Sequence, residues 1–332
     1  MSTIFALLGL FLLILDAKTA FKSAHEGIQL CINSLLPVLL PFSILIKIIC
    51  NKLVGQKIRC LQTLERLTET PDGAGAILLL GSIGGYPLGA QCVDDAYRNG
   101  AIQKSAARRM LAYCSNAGPA FIFGILGPLL GSLGVSVLLL LIHIISAILV
   151  SIFLPRRGHE VCCMTETKGL SITNILENAI KSIGIICCWV VLFRILSGFL
   201  EKWVLWFLPE SISVLIIGFL ELSNGCLLIS KIGDAGSRFI ISACILGFGG
   251  LCVLLQTLSC TKSCGIGWYF PGKLMHGSIS FILAYLVQGV LFSGTDRSNL
   301  HYSTLFIPLV ILIITGSFFI KQKKIVAIPQ QM

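Results

Sequence analysis

The stretch GSIGGYPLGAQ, Gly81 to Gln91, follows the apolar run AILLL and lies between two basic segments. Segment 51–72 carries Lys52, Lys57, Arg59 and Arg66, and segment 91–109 carries Arg98, Lys104, Arg108 and Arg109. Basic connections stay on the cytoplasmic face of a membrane, yet a single apolar segment, 74–90, separates these two. A full span would put them on opposite faces. A segment that enters and leaves by the same face keeps both inside, and Gly84, Gly85 and Pro87 then form the tip of a re-entrant helical hairpin. Irregular backbone at membrane depth is tolerated only where protein or a polar cavity covers it. The stretch is not a phosphate-binding P-loop, because no Gly-Lys-Ser/Thr follows.

Composition supplies the membrane that this reading needs. Of 332 residues, 55% are hydrophobic and 12% charged, with a mean hydropathy of +0.91; a soluble domain carries about 25% charge. Apolar segments fall at 2–15, 28–50, 74–90, 110–130, 134–154, 182–200, 211–230, 239–259, 274–292 and 305–320. Several reach the roughly 20 residues that cross a bilayer. The fold class is therefore an all-α polytopic membrane protein. The run Ile4 to Leu15 lacks a basic leader and a small-residue cleavage site, so it reads as a first helix and not a removed signal peptide. The net charge of +10 follows from basic cytoplasmic loops, and no nucleic-acid partner is expected. Most of the 14 cysteines sit in apolar runs, where they act as small hydrophobes. Cys162-Cys163 and Cys260 with Cys264 lack the companions of a zinc site, so neither metal nor disulfide is expected.

Carrying the basic-inside assignment along the chain produces a repeat. Residues 1–27 form an N-terminal helix and short linker. Residues 28–154 form a first repeat, with hairpin 74–90, broken helix 110–130 and a connecting helix. Residues 155–181 form a cytoplasmic loop, with Arg156 and Arg157, and an amphipathic surface helix, GLSITNILENAIKS. Residues 182–292 form a second repeat, with hairpin 211–230, broken helix 239–259 and a further helix, and 293–332 a last helix and a basic cytoplasmic tail. Lys262 and Lys273 fall in an inside loop, Lys47 snorkels inward and Arg194 outward. The hairpins then enter from opposite faces, giving an inverted-topology repeat with two opposed re-entrant helical hairpins. Such repeats with interrupted helices point to a secondary transporter whose site lies near the midplane.

The interruptions supply the chemistry. A helix broken inside a membrane exposes N–H groups at one end and C=O groups at the other, and its N-terminus carries about half a positive charge. Backbone donors there hold a small anion without importing a charged side chain. In CSNAGPAF, 114–121, Asn116 reads as a cap of the new half-helix, with Pro119 near its first position. In 211–230, Glu221, Ser223, Asn224 and Gly225 interrupt an apolar run, and a buried carboxylate at that depth is a functional group by default. The second break, LGFGGLC at 246–252, leaves Gln256 as its main polar side chain. Tyr86 lines the site or anchors the hairpin. His143, alone in an apolar helix, reads as packed. No Ser-His-Asp set, carboxylate pair or metal cluster stands out, so an enzyme is not expected. A coupling ion is: sodium on carbonyls beside Asn116, or a proton on Glu221.

The motifs LLPVLLPFSIL, GSIGGYPLGAQ, LAYCSNAGPAFIFG, GFLELSNG and GFGGLCVLLQ, in this order over residues 28–292, resemble the Gate-domain (nucleoside-recognition) family. Within it they are most similar to sporulation integral membrane proteins of the YlbJ type. The resemblance implies an architecture similar to concentrative nucleoside transporters and a bacterial cell membrane, including the membrane surrounding the forespore. It implies dipicolinic acid, a small aromatic dicarboxylate, as cargo. Gly85, Pro87, Gly89, Ser115, Asn116, Gly118, Glu221, Asn224 and Gly249 would surround it, with Tyr86, Ser223 and Gly225 beside them. The alternatives are a nucleoside or another carboxylate as cargo, or a non-transporting scaffold of a spore-membrane complex. Homo-oligomerisation is left open.

Overall fold

The computed structural model describes residues 2–155, 171–292 and 306–327. The chain is 84% helical, with no strand among the described residues. Helix α1 (Ser2–Leu15) is followed by α2 (Ala17–Leu30) and α3 (Leu36–Leu53), joined through a π turn at Cys31–Leu35. The short α4 (Arg59–Thr68) leads to a pair of broken legs, α5 (Gly75–Gly84) and α6 (Leu88–Arg98). Next come α7 (Lys104–Cys114), α8 (Pro119–Phe121) and α9 (Gly127–Leu130), with a π turn at Ile122–Leu126, and then α10 (Leu133–Phe153). The second half runs through α11 (Ile172–Trp203), the pair α12 (Glu210–Leu220) and α13 (Leu222–Leu228), and the pair α14 (Ala235–Phe248) and α15 (Gly250–Cys260). It ends in α16 (Tyr269–Leu291) and α17 (Phe306–Ala327). Among the described residues, six helical stretches are long and apolar enough to cross a membrane: 17–50, 104–130, 133–153, 172–203, 235–260 and 269–291.

Several boundaries differ from the sequence expectation. The linker 16–27 is helical and continues into α3. Asp16 accepts from the Thr19 amide to start it, and Ala20, Ser23, Gly27 and Leu30 make a buried stripe. Gly27 lets α2 lie against α11, since a Cβ there would stand 3.1 Å from Val191 Cα. Of the surface helix expected at 169–182, residues 172–182 are the start of the 32-residue α11. At 1.5 Å per residue α11 is about 48 Å long, beyond the roughly 30 Å hydrocarbon layer, so the polar turns project past it. Arg194 is bonded to Glu26 (2.6 Å) and Glu201 (2.8 Å) between α2 and α11. Lys273 is not a loop cation but lies in the first turn of α16, 1% exposed. Arg156, Arg157 and the Cys162-Cys163 pair lie outside the described residues.

Two ends can be told apart by their polar contacts. At one end, Gly55 N donates to the Gly73 carbonyl (2.9 Å), which ties the approach to α5 to the chain just after α3. The buried Glu65 accepts from Gly73 N and Gly75 N. Arg109 donates to the carbonyls of Thr68, Glu69 and Ser151, pinning α7 to α4 and α10. Asp94 in α6 accepts from Ser263 N and Cys264 N, and Arg108 donates to the Cys264 carbonyl. Segments 94–109 and 261–268 therefore share this end. It also holds a polar cavity of about 680 Å³ lined by Lys47, Asp94, Asp95, Arg98, Lys181 and Lys262. At the other end the start of α2 meets the end of α11 through Asp16 and Lys202 (2.5 Å). The chain enters α12 from there.

Candidate functional site

Each short-helix pair is held together by glycines that meet directly. A Cβ on Gly89 would overlap the Cys114 carbonyl oxygen, and so would one on Gly81. In the second pair, a Cβ on Gly225 would overlap Gly218 Cα. Small residues let membrane helices approach to backbone contact. The two tips then rest on the two broken helices. Gly85 lies against Gly118, where a Cβ would stand 3.0 Å from the Gly118 amide nitrogen. The turn at Leu220–Leu222 lies against Gly250.

The breaks have different causes. After α7, Ser115 turns extended and Gly118 (φ −79°, ψ 158°) precedes Pro119, which starts α8; the residue before proline is pushed out of the helical region. At the second break Gly249 and Gly250 both have positive φ, +84° and +87°, which only glycine adopts without cost. Proline also sets the two π turns. Pro37 has no N–H for the Asn33 carbonyl and Pro128 none for that of Gly124, so the i→i−4 ladder shifts register there.

Between tips, breaks and π turns lies a cavity of about 260 Å³. Its polar wall is Asn33, Ser34, Tyr86, Glu221, Ser223 and Gln256, and its backbone wall includes Gly85, Ala117 and Gly118. Glu221 is 2% exposed. Its Oε1 accepts from Ser223 N (3.0 Å) and its Oε2 from Asn224 N (2.6 Å), so the carboxylate caps α13. The donors expected there for an external anion are already engaged. Among the described residues no Lys or Arg lines this cavity.

Tyr86 joins the first tip to the second break. Its hydroxyl donates to the Leu246 carbonyl at 3.2 Å, and a Cβ on Gly249 would stand 3.0 Å from its Cζ. Replacing Tyr86 by Phe leaves a buried carbonyl without its donor, at a cost of about 1–3 kcal/mol. We expect Tyr86→Phe to melt several degrees below the wild type in detergent; an unchanged melting curve would show that the tip does not depend on this bond.

The expected site residues divide accordingly. Gly85, Tyr86, Gly118, Glu221 and Ser223 line the cavity. Gly89 and Gly225 are packing positions, and Gly249 supports the Tyr86 ring. Pro87 precedes the first turn of α6 without reaching the cavity. Ser115 is fully buried with an unpartnered hydroxyl, and the Asn224 amide nitrogen is likewise unpartnered. Asn116 does not cap the following half-helix. Its Nδ2 donates back to the Tyr113 carbonyl at 2.7 Å and its Oδ1 accepts from Lys273 Nζ at 2.9 Å, because two extended residues separate it from Pro119. His143 is not alone: it stacks on His276 at 4.5 Å, and its Nε2 accepts from Ala117 N at 3.0 Å.

The residues missed were Asn33, Ser34, Gln256 as a wall residue, and Lys273. A polar Asn-Ser pair shortly before Pro37 in an apolar run was the available signal for the first two. Comparison with family models, curated proteins and solved structures finds no match for this chain.

Proposed function

We propose that this chain is a bacterial membrane transporter, not an enzyme, with two opposed re-entrant hairpins in an inverted repeat. Its cargo is a small ring acid of the dipicolinate type, held in the cavity between the hairpin tips. The observation that carries this reading is the cavity's wall, which takes one tip and one helix break from the first half and the Glu221 turn from the second. The entry to α5 lies at the basic end and the entry to α12 at the opposite end, which supports opposed hairpins. The motif resemblance supports the Gate-domain branch, and with it sporulation and the membrane surrounding the forespore. Rocking of one half against the other would open the cavity to each face in turn.

Two polar parts of the cavity wall differ in sign. The start of α8 at Gly118 presents the positive end of a helix, and Glu221 presents a carboxylate. A cargo with a carboxylate at one end and an O–H or N–H at the other satisfies both, as singly protonated dipicolinate does. A neutral nucleoside is the second reading, favoured by the absence of Lys and Arg from the wall.

The test is uptake of labelled dipicolinate and labelled uridine into liposomes carrying the purified protein. Saturable dipicolinate flux, inhibited by excess unlabelled compound, is the expected result. Uridine flux alone moves the cargo to the second reading; no flux of either leaves only the scaffold. Topology is tested by an impermeant thiol reagent on single-cysteine reporters at Cys60 and at Asn99→Cys, both exposed positions. Labelling from the same face is expected, and labelling from opposite faces would remove the first hairpin.

A further inference from the structure

Lys273 is the one cation buried where the tips and breaks converge among the described residues. Its ammonium donates to Asn116 Oδ1 and lies 4.9 Å from the centre of the Tyr86 ring and 5.7 Å from that of Tyr269. No carboxylate pairs with it among the described residues. The titratable side chains nearest it are Cys114 from α7, His143 from α10, Tyr86 from the first tip, and Tyr269 and His276 from its own helix. The single charged residue of α14, Arg238, is bonded elsewhere, to the carbonyls of Ile232 and Gly233. The described side chains of α17 include no charged one.

This is the exit of the interrupted helix α7, whose last carbonyls form the negative end of a half-helix dipole. Transporters with interrupted helices receive a coupling cation at such ends. Here the Asn116 side chain, beside the carbonyls expected to hold sodium, accepts from the Lys273 ammonium. Glu221, the other candidate ion carrier, has both oxygens engaged by backbone N–H groups. Resting on the transport reading above, we propose that the Lys273 ammonium fills the place of a bound sodium ion and that its proton is the coupling ion.

The step is a simple exchange. One N–H bond of the ammonium breaks, the proton passes to water, and a neutral amine remains until water on the other face returns a proton. Loss of the charge removes the attraction to the Tyr86 ring and the charge assistance of the bond to Asn116. Both partners belong to the first tip and the first break, and Tyr86 also holds the second break through the Leu246 carbonyl. Discharging Lys273 therefore loosens the contact between the two halves at the cavity.

The experiment uses the full chain in liposomes and labelled dipicolinate, or uridine if that is the cargo found. Uptake is compared under a pH gradient without sodium, under a sodium gradient at equal pH, and in exchange with neither gradient. A one-unit pH gradient is expected to drive about tenfold accumulation, and a sodium gradient none. In Lys273→Met and Lys273→Arg the ratio of pH-driven to exchange flux is expected to fall to about one. Sodium-driven uptake by the wild type, or pH-driven uptake that survives in both variants, overturns the proposal. The wild-type arms can overturn it even if both variants fail to fold, and the variants assign the proton to Lys273. Exchange without any gradient response defeats the coupling proposal and leaves transport standing, whereas no exchange at all defeats both.

Discussion

Gly89→Ala is expected to lower the melting temperature of the detergent-solubilised protein by about 2–12 °C, although it adds a single methyl group. Overpacking costs about 1–3 kcal/mol, and each kcal/mol moves the melting point of a large domain by about 2–4 °C. The added carbon would overlap the Cys114 carbonyl oxygen and come 2.9 Å from Ser115 Cα, backbone that cannot rotate aside as a side chain could. Cys114 is wholly buried at the last turn of α7, so the strain passes into residues 115–118, of which Ala117 and Gly118 line the cavity. Gly184→Ala in α11 is the control, since a Cβ there meets nothing within 4 Å. It is expected to be neutral or slightly stabilising, as alanine is the better helix former. A Gly89→Ala protein that melts with the wild type would mean that α6 and α7 are not in backbone contact.

Glu221→Ala is expected to lower kcat/KM for cargo uptake by about 100-fold. The carboxylate does two things at once: it walls the cavity and it terminates the orphan amides of Ser223 and Asn224. Without it those donors are buried and unpaired, at about 1–3 kcal/mol each, where about 1.4 kcal/mol is a factor of ten. The tip turn then relaxes at the proposed cargo cavity. Glu221→Gln keeps one acceptor and is expected to fall between the two. Uptake and melting are to be measured on the same preparations. Wild-type uptake by a folded Glu221→Ala protein would show that cargo does not pass this turn.

The sequence reading located both tips and both breaks, because glycine and proline act locally. Pro119 dictates the conformation of the residue before it, and Gly249–Gly250 end a helix wherever they stand. The polar interruption at Glu221–Gly225 was equally legible, since a carboxylate in an apolar run needs a partner, and the nearest donors are the amides two and three residues on. Helix lengths were less legible. The stretch 16–27 is too polar to be read as membrane helix, and it is helical because Gly27 and Ser23 fit α11 and because Asp16, Glu26, Lys202 and Arg194 satisfy one another across that contact.

By itself, then, the sequence determined the class of the protein and the places where its helices must stop, because hydropathy, glycine and proline exert their effects within a few residues. Only the tertiary structure decided what meets at those stops. Lys273 is 157 residues from Asn116 and Tyr86 is 160 from Leu246, and His276 is 133 from His143. A charge count treats Lys273 as one more loop cation. Its burial against Asn116 and two aromatic rings depends on how α16 packs against the broken helix, and no local pattern encodes that placement.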